Sequence, residues 1–169
     1  AATTTRGEVE LALILDNSGS MKGAKLAALK VAAGDFVDLM LNIESVDHTT
    51  ISLVPFAAAV NAGPVLSNEF NLNRWHNYSS CFQFESADFR TTTLSTLTPY
   101  EQEQHLYRGN NGTHECPDSQ IIPFSNNTGV LHAAINNMKA GGYTATYAGM
   151  KWGPHCATPR RSRCLKTSL

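Results

Sequence analysis

The sequence predicts an α/β fold built on a doubly wound, mainly parallel sheet, and three observations point there. A continuous apolar run, Leu11-Ala12-Leu13-Ile14-Leu15, ends in the polar stretch Asp16-Asn17-Ser18-Gly19-Ser20, the pattern of a buried strand delivering a loop at its carboxyl end. Leu26, Leu29, Ala33, Phe36, Val37 and Met40 then recur at helical spacing. A second compact strand signal covers 49–56. A helix between two strand signals favours a parallel crossover over a hairpin.

Taken in order, 1–6 read as a loose leader and 8–15 as the first strand. The helix opens near Lys25, where alanine and lysine support it between its apolar positions. Ile51, Leu53 and Val54 are core candidates in the second strand, and Pro55 marks its exit. From 63 to 123 the apolar spacing breaks down. A structureless connector beyond about fifteen residues is unusual, so short helices or strands and a lid-like ornament are expected there. Trp75, Tyr78, Phe82, Phe84 and Phe89 offer it a small hydrophobic cluster, with an exposed aromatic contact surface as the alternative. Residues 128–139 predict a further helix with Val130, Leu131, Ala134, Ile135 and Met138 on one face and Gly141-Gly142 as its terminator. The organisation expected is one domain over 1–153, with an irregular insertion at 63–123, and a loose basic tail over 154–169 carrying Arg160, Arg161, Arg163 and Lys166.

Composition narrows the function. With 169 residues, 42% hydrophobic and 16% charged, the chain can bury one substantial core. Its net charge of -1 gives no global attraction to nucleic acid or to a membrane surface, and no apolar stretch reaches the length of a membrane helix. Cys81, Cys116, Cys156 and Cys164 lack a paired C-x-x-C spacing, and the six histidines show no spacing that suggests zinc. Disulfides are the better reading; four cysteines allow three complete pairings, and Cys81 and Cys116 stand where a bridge would close the excursion.

Asp16, Ser18 and Ser20 place one carboxylate and two hydroxyls at alternate positions of a tight loop. All are hard oxygen donors suited to Mg²⁺ or Mn²⁺, and a single carboxylate among neutral donors leaves a positive centre that can accept an acidic group from another molecule. Turn formation and helix capping without metal are the plainer use of the same residues. Mg²⁺-dependent phosphoryl transfer is a third reading. The loop has no second carboxylate in an Asp-x-Asp arrangement, and no Gly-rich, Lys-containing phosphate loop occurs, so a binding protein is expected rather than an enzyme.

Asp16-x-Ser18-x-Ser20 resembles the metal-ion-dependent adhesion motif of the von Willebrand factor type A family, and Thr144 in Gly141-Gly142-Tyr143-Thr144 resembles its second element. The resemblance implies a Rossmann-like doubly wound sheet, with Asp16, Ser18, Ser20 and Thr144 as ligands of Mg²⁺ or Mn²⁺ and Thr146 in support. A protein partner presenting an acidic side chain would complete the coordination. Trp75 to Cys81, and Cys116-Pro117 leading to Ile121-Ile122-Pro123, are similar to a narrower group, the TadG-like proteins of Flp or tight-adherence pilus assembly. That group implies an extracytoplasmic portion of a bacterial envelope or periplasmic protein, separated from an amino-terminal anchor, with Cys81 and Cys116 paired. A cytoplasmic protein of the wider family is the alternative. The family pattern would also call for later strands and a late aspartate, but Pro154 to Leu169 contains no Asp or Glu. The domain is therefore expected to be incomplete at its carboxyl end, and a metal-free structural fragment is the alternative function.

Overall fold

A computed structural model describes residues 8–42, 44–106 and 114–157. The expected leader, the tail from 158 onward and the expected incompleteness of the carboxyl end lie outside the described residues. Strand β1 (Val9–Asp16) leads through a short 3-10 turn, Gly19–Met21, into helix α1 (Ala24–Met40), and strand β2 (Thr49–Phe56) returns beside β1. The two strands pair in parallel, from Val9 against Thr49 to Asp16 against Phe56, so both carboxyl ends finish at one edge.

The excursion that follows holds helix α2 (Gly63–Ser67) and strands β3 (Leu72–Asn73), β4 (Phe82–Gln83) and β5 (Tyr100–Gln102). It closes into strand β6 (Ile122–Ser125), followed by helices α3 (Thr128–Asn137) and α4 (Thr146–His155). The strands form two separate three-stranded sheets, ordered β1-β2-β6 and β3-β5-β4. Each mixes pairings: β1 with β2 and β3 with β5 are parallel, whereas β6 with β2 and β4 with β5 are antiparallel. This corrects the expected single, doubly wound, mainly parallel Rossmann-like sheet. A parallel neighbour needs a crossover that carries the chain back to the starting edge. The excursion emerges at the carboxyl edge of β2 with no such crossover, and β6 runs back antiparallel, with an irregular register between Ile51 and Leu53.

Side-chain alternation on β2 divides the core. Ile51 and Leu53 face α1 and α3, joining Leu15, Leu26, Val37, Leu131 and Ile135. Val54 and Phe56 face α4, where Trp152 is fully buried among Phe70, Phe82, Leu94 and Tyr100 of the excursion. Helix α4 lies close on β1 because Gly149 and Gly153 present no side chain to it; a Cβ on Gly153 would stand 2.3 Å from Ile14 Cδ1. The helix runs through Pro154 to His155, two residues into the stretch expected to be a loose tail.

The expected aromatic cluster divides. Phe82 is buried and Phe84 packs against the same core, while Trp75 and Tyr78 are exposed. Asn61 fastens the excursion: its Nδ2 donates to Pro117 O at 2.9 Å, and its Oδ1 accepts from Gly63 N at 3.0 Å and Ser80 N at 3.1 Å. Beside it Cys81 and Cys116 form a buried disulfide with Cα atoms 5.8 Å apart. No helix among the described residues is long and apolar enough to cross a membrane.

Candidate functional site

Asp16 is the last residue of β1, paired with Phe56 at the end of β2. Asn17 N donates to Phe56 O at 2.9 Å, so the chain leaves the sheet only after that bond. Asp16 Oδ1 then accepts from Ser18 N at 2.8 Å, an Asx turn that folds the loop back over the strand ends. Ser18 is fully buried and its Oγ lies 3.0 Å from that of Ser20, which is exposed.

Thr144 reaches this loop because β6 runs backward. Its antiparallel course carries the chain to the far edge of the sheet, and α3 brings it home to the carboxyl edge, where 139–145 cross over the strand ends. Asn17 Nδ2 donates to Lys139 O at 3.3 Å and to Ser119 Oγ at 3.4 Å. Gly141 N donates to Asn17 O at 3.0 Å, Gly19 N to Gly142 O at 2.9 Å and Ala145 N to Ala57 O at 2.8 Å. Those bonds seat Thr144, whose Oγ1 donates to Ser18 Oγ at 2.7 Å.

Asp16, Ser18, Ser20 and Thr144 are thus brought together by two loops. The arrangement offers one carboxylate and three hydroxyls, with Ser20 and Thr144 open to solvent. Such oxygen donors match the requirements of a hard divalent cation. Thr146 is the exposed first residue of α4; the cap position belongs to Ala145, which makes no side-chain capping bond.

A second cluster lies across the same edge. His105, His114 and Asp118 bring one ligand atom each within 4.8 Å of one another, a set able to hold a divalent metal ion. His114 Nδ1 stands 3.1 Å from Asp118 Oδ1, and the rings of His105 and His114 meet edge to face with centroids 4.7 Å apart. Tyr78 stacks on His105 at 5.7 Å. An isolated bridge between Leu106 and His114 and a bond from Glu115 N to His105 O at 3.0 Å hold the two stretches side by side. Burial foremost, then the neighbouring His114, lowers the His105 pKa from its ordinary 6.5, with Asp118 opposing and His76 adding to the shift. Glu115 is shifted upward by burial and then by Glu103.

Sequence reasoning missed this cluster because nine positions separate the histidines and no short metal motif contains them. The available signal was His114 and Asp118 flanking Cys116, since a bridged cysteine fixes the chain on which both stand. The two clusters meet at Gly142: its carbonyl accepts from Gly19, and a Cβ placed on it would lie 2.6 Å from His114 O. Compared with known proteins, the chain matches no family model and no curated protein.

Proposed function

We propose that the chain is a cation-dependent protein-binding module. Asp16, Ser18, Ser20 and Thr144 hold Mg²⁺, with Mn²⁺ as the alternative ion, and an acidic side chain of a partner protein completes the coordination. The observation that carries this reading is the 2.7 Å approach of Thr144 Oγ1 to Ser18 Oγ from 126 residues away. A simple turn after a strand needs no second loop to supply a hydroxyl. Ser20 and Thr144 are both exposed, so the partner's carboxylate has access. No bond is made or broken, and specificity comes from recognition of that carboxylate.

The resemblance of these residues to the von Willebrand factor type A adhesion motif, and of the excursion to the TadG-like group, supports a setting in pilus assembly at the bacterial envelope. The Cys81–Cys116 disulfide agrees with an oxidising compartment outside the cytoplasm. One observation favours a metal-free structural loop instead: Asp16 Oδ1 already accepts from Ser18 N, and the three hydroxyls bond one another.

Asp16→Asn separates the readings, because the amide oxygen retains the acceptor for Ser18 N while the charge is lost. Calorimetric titration of the wild-type chain with Mg²⁺ and Mn²⁺ is expected to show one site, lost in Asp16→Asn and weakened at least tenfold in Thr144→Ala, with folding unchanged by circular dichroism. Absence of binding by the wild type, or equal binding by Asp16→Asn, would leave the loop a structural turn.

A further inference from the structure

The His105, His114 and Asp118 cluster belongs to a different chemical class from the hydroxyl-lined loop. Two imidazoles and one carboxylate are the donor set of borderline ions such as Zn²⁺, Co²⁺ and Ni²⁺, whereas Mg²⁺ prefers oxygen alone. A tetrahedral Zn²⁺ with bonds of about 2.0–2.1 Å needs ligand atoms roughly 3.3 Å apart. The ligand atoms lie within 4.8 Å of one another, and His114 Nδ1 and Asp118 Oδ1 already stand 3.1 Å apart, close to that spacing.

Three further features distinguish the cluster from a chance meeting of polar side chains. His105 Nδ1 is buried and, among the described residues, has no hydrogen-bond partner. The neighbouring His76, by contrast, has both ring nitrogens engaged, Nε2 with Glu103 O at 3.0 Å and Nδ1 with Tyr78 N and Gln102 Nε2 at 3.3 Å. It therefore buttresses the cluster and is not a fourth ligand. The backbone under the ligands is also fixed on both sides: Cys116, two residues after His114, is bridged to Cys81, and Glu103 N donates to Cys81 O at 2.9 Å just before His105. Finally, the molecule contains an internal comparison. His132 Nε2 lies 2.7 Å from Asp38 Oδ1, but among the described residues that pair gathers no third ligand.

We infer that His105, His114 and Asp118 form a binding site for a zinc-class transition-metal ion, separate from the Mg²⁺ loop. Three protein ligands leave a fourth position for water or an exogenous donor, as in open zinc sites. The ion joins the chain before 107 to the chain after 113, reinforcing the Leu106–His114 bridge and the Glu115 N to His105 O bond that already hold the two stretches together.

The test uses the whole oxidised chain, with the disulfide intact, and Co²⁺ as the spectroscopic probe. One equivalent of Co²⁺ is expected to give the visible ligand-field bands of a tetrahedral nitrogen and oxygen site, and Zn²⁺ should displace it stoichiometrically. His105→Gln, His114→Ala and Asp118→Asn are each expected to weaken Zn²⁺ at least tenfold. His132→Ala should change nothing, and Asp16→Asn should leave Zn²⁺ affinity intact, so this result is independent of the fate of the Mg²⁺ reading. Asp118 is exposed, so its variant keeps the experiment interpretable should a histidine variant fail to fold. Absence of the Co²⁺ bands, or undiminished Zn²⁺ affinity in Asp118→Asn or in a folded histidine variant, overturns the assignment.

Discussion

His155 sits in the last turn of α4 with its ring against Trp152 and Phe70, at centroid separations of 5.9 and 5.5 Å. Its Nε2 is buried without a partner among the described residues. Burial first, and the neighbouring Lys151 second, lower its pKa from the ordinary 6.5. The unfolded chain then binds the proton more readily than the folded one, so the contribution to stability is complete above pH 6.5 and is lost as pH falls through the lowered folded value. Urea denaturation between pH 7.5 and 5 should show a steeper acid loss for the wild type than for His155→Phe, which keeps the aromatic contacts and cannot titrate. Parallel curves would show that His155 does not couple folding to pH. Lys151, one turn earlier, is 4% exposed and donates from Nζ to the carbonyls of Asp88, Thr91 and Thr93. Nothing at residue level in the sequence marks it as a tether, because a lysine beside a tryptophan reads equally well as solvated.

Among the elements, β1, α1, β2 and α3 were legible because each is long enough to display its period. The expected strand over 49–56 is the observed Thr49–Phe56. Val130, expected on the apolar face of α3, is instead 45% exposed and lies just inside the helix start, where its N–H donates to Asn127 Oδ1 at 3.1 Å. Strands of two or three residues, as in β3, β4 and β5, are too short to show alternation, and β6 is masked by Pro123 and by Phe124 at φ 22°. What holds that excursion is side-chain bonding from Asn61 and from Gln102, whose Oε1 accepts from Trp75 N at 2.9 Å and whose Nε2 donates to Ser79 O at 2.7 Å, together with the disulfide. Cys81 and Cys116 are separated by 35 positions, a loop whose closure is worth about 3–4 kcal/mol in the chain-entropy account. Reduction, or the Cys81→Ser and Cys116→Ser pair, is expected to lower stability by about that amount, measured by urea denaturation with and without reductant. An unchanged midpoint would mean that the polar struts suffice.

At the scale of the molecule, the candidate loop was legible and the sheet around it was not. Asp16, Ser18 and Ser20 are neighbours in sequence, and Thr144 was placed by resemblance; none of that requires knowing the direction of β6. The parallel unit through β1, α1 and β2 is local, whereas the choice between one sheet and two depends on how a sixty-residue excursion comes back, which short-range pattern does not encode. The His105 cluster was hidden because nine positions separate its histidines and no short metal motif contains them. Both clusters nevertheless lean on one peptide. Gly142 has φ 72°, open to glycine at little cost, and its missing Cβ is what lets the His114 carbonyl approach. If the two proposed sites bind their ions, Gly142→Ala should therefore weaken Mg²⁺ and Zn²⁺ together, while Gly141→Ala, with nothing among the described residues within 4 Å of the added methyl, should leave both unchanged. The wild-type consequence is thermodynamic reciprocity: whatever factor saturating Zn²⁺ imposes on Mg²⁺ affinity, Mg²⁺ must impose on Zn²⁺. A factor other than one, abolished in Gly142→Ala, would make this glycine a relay through which the scarcer ion sets the grip of the commoner one.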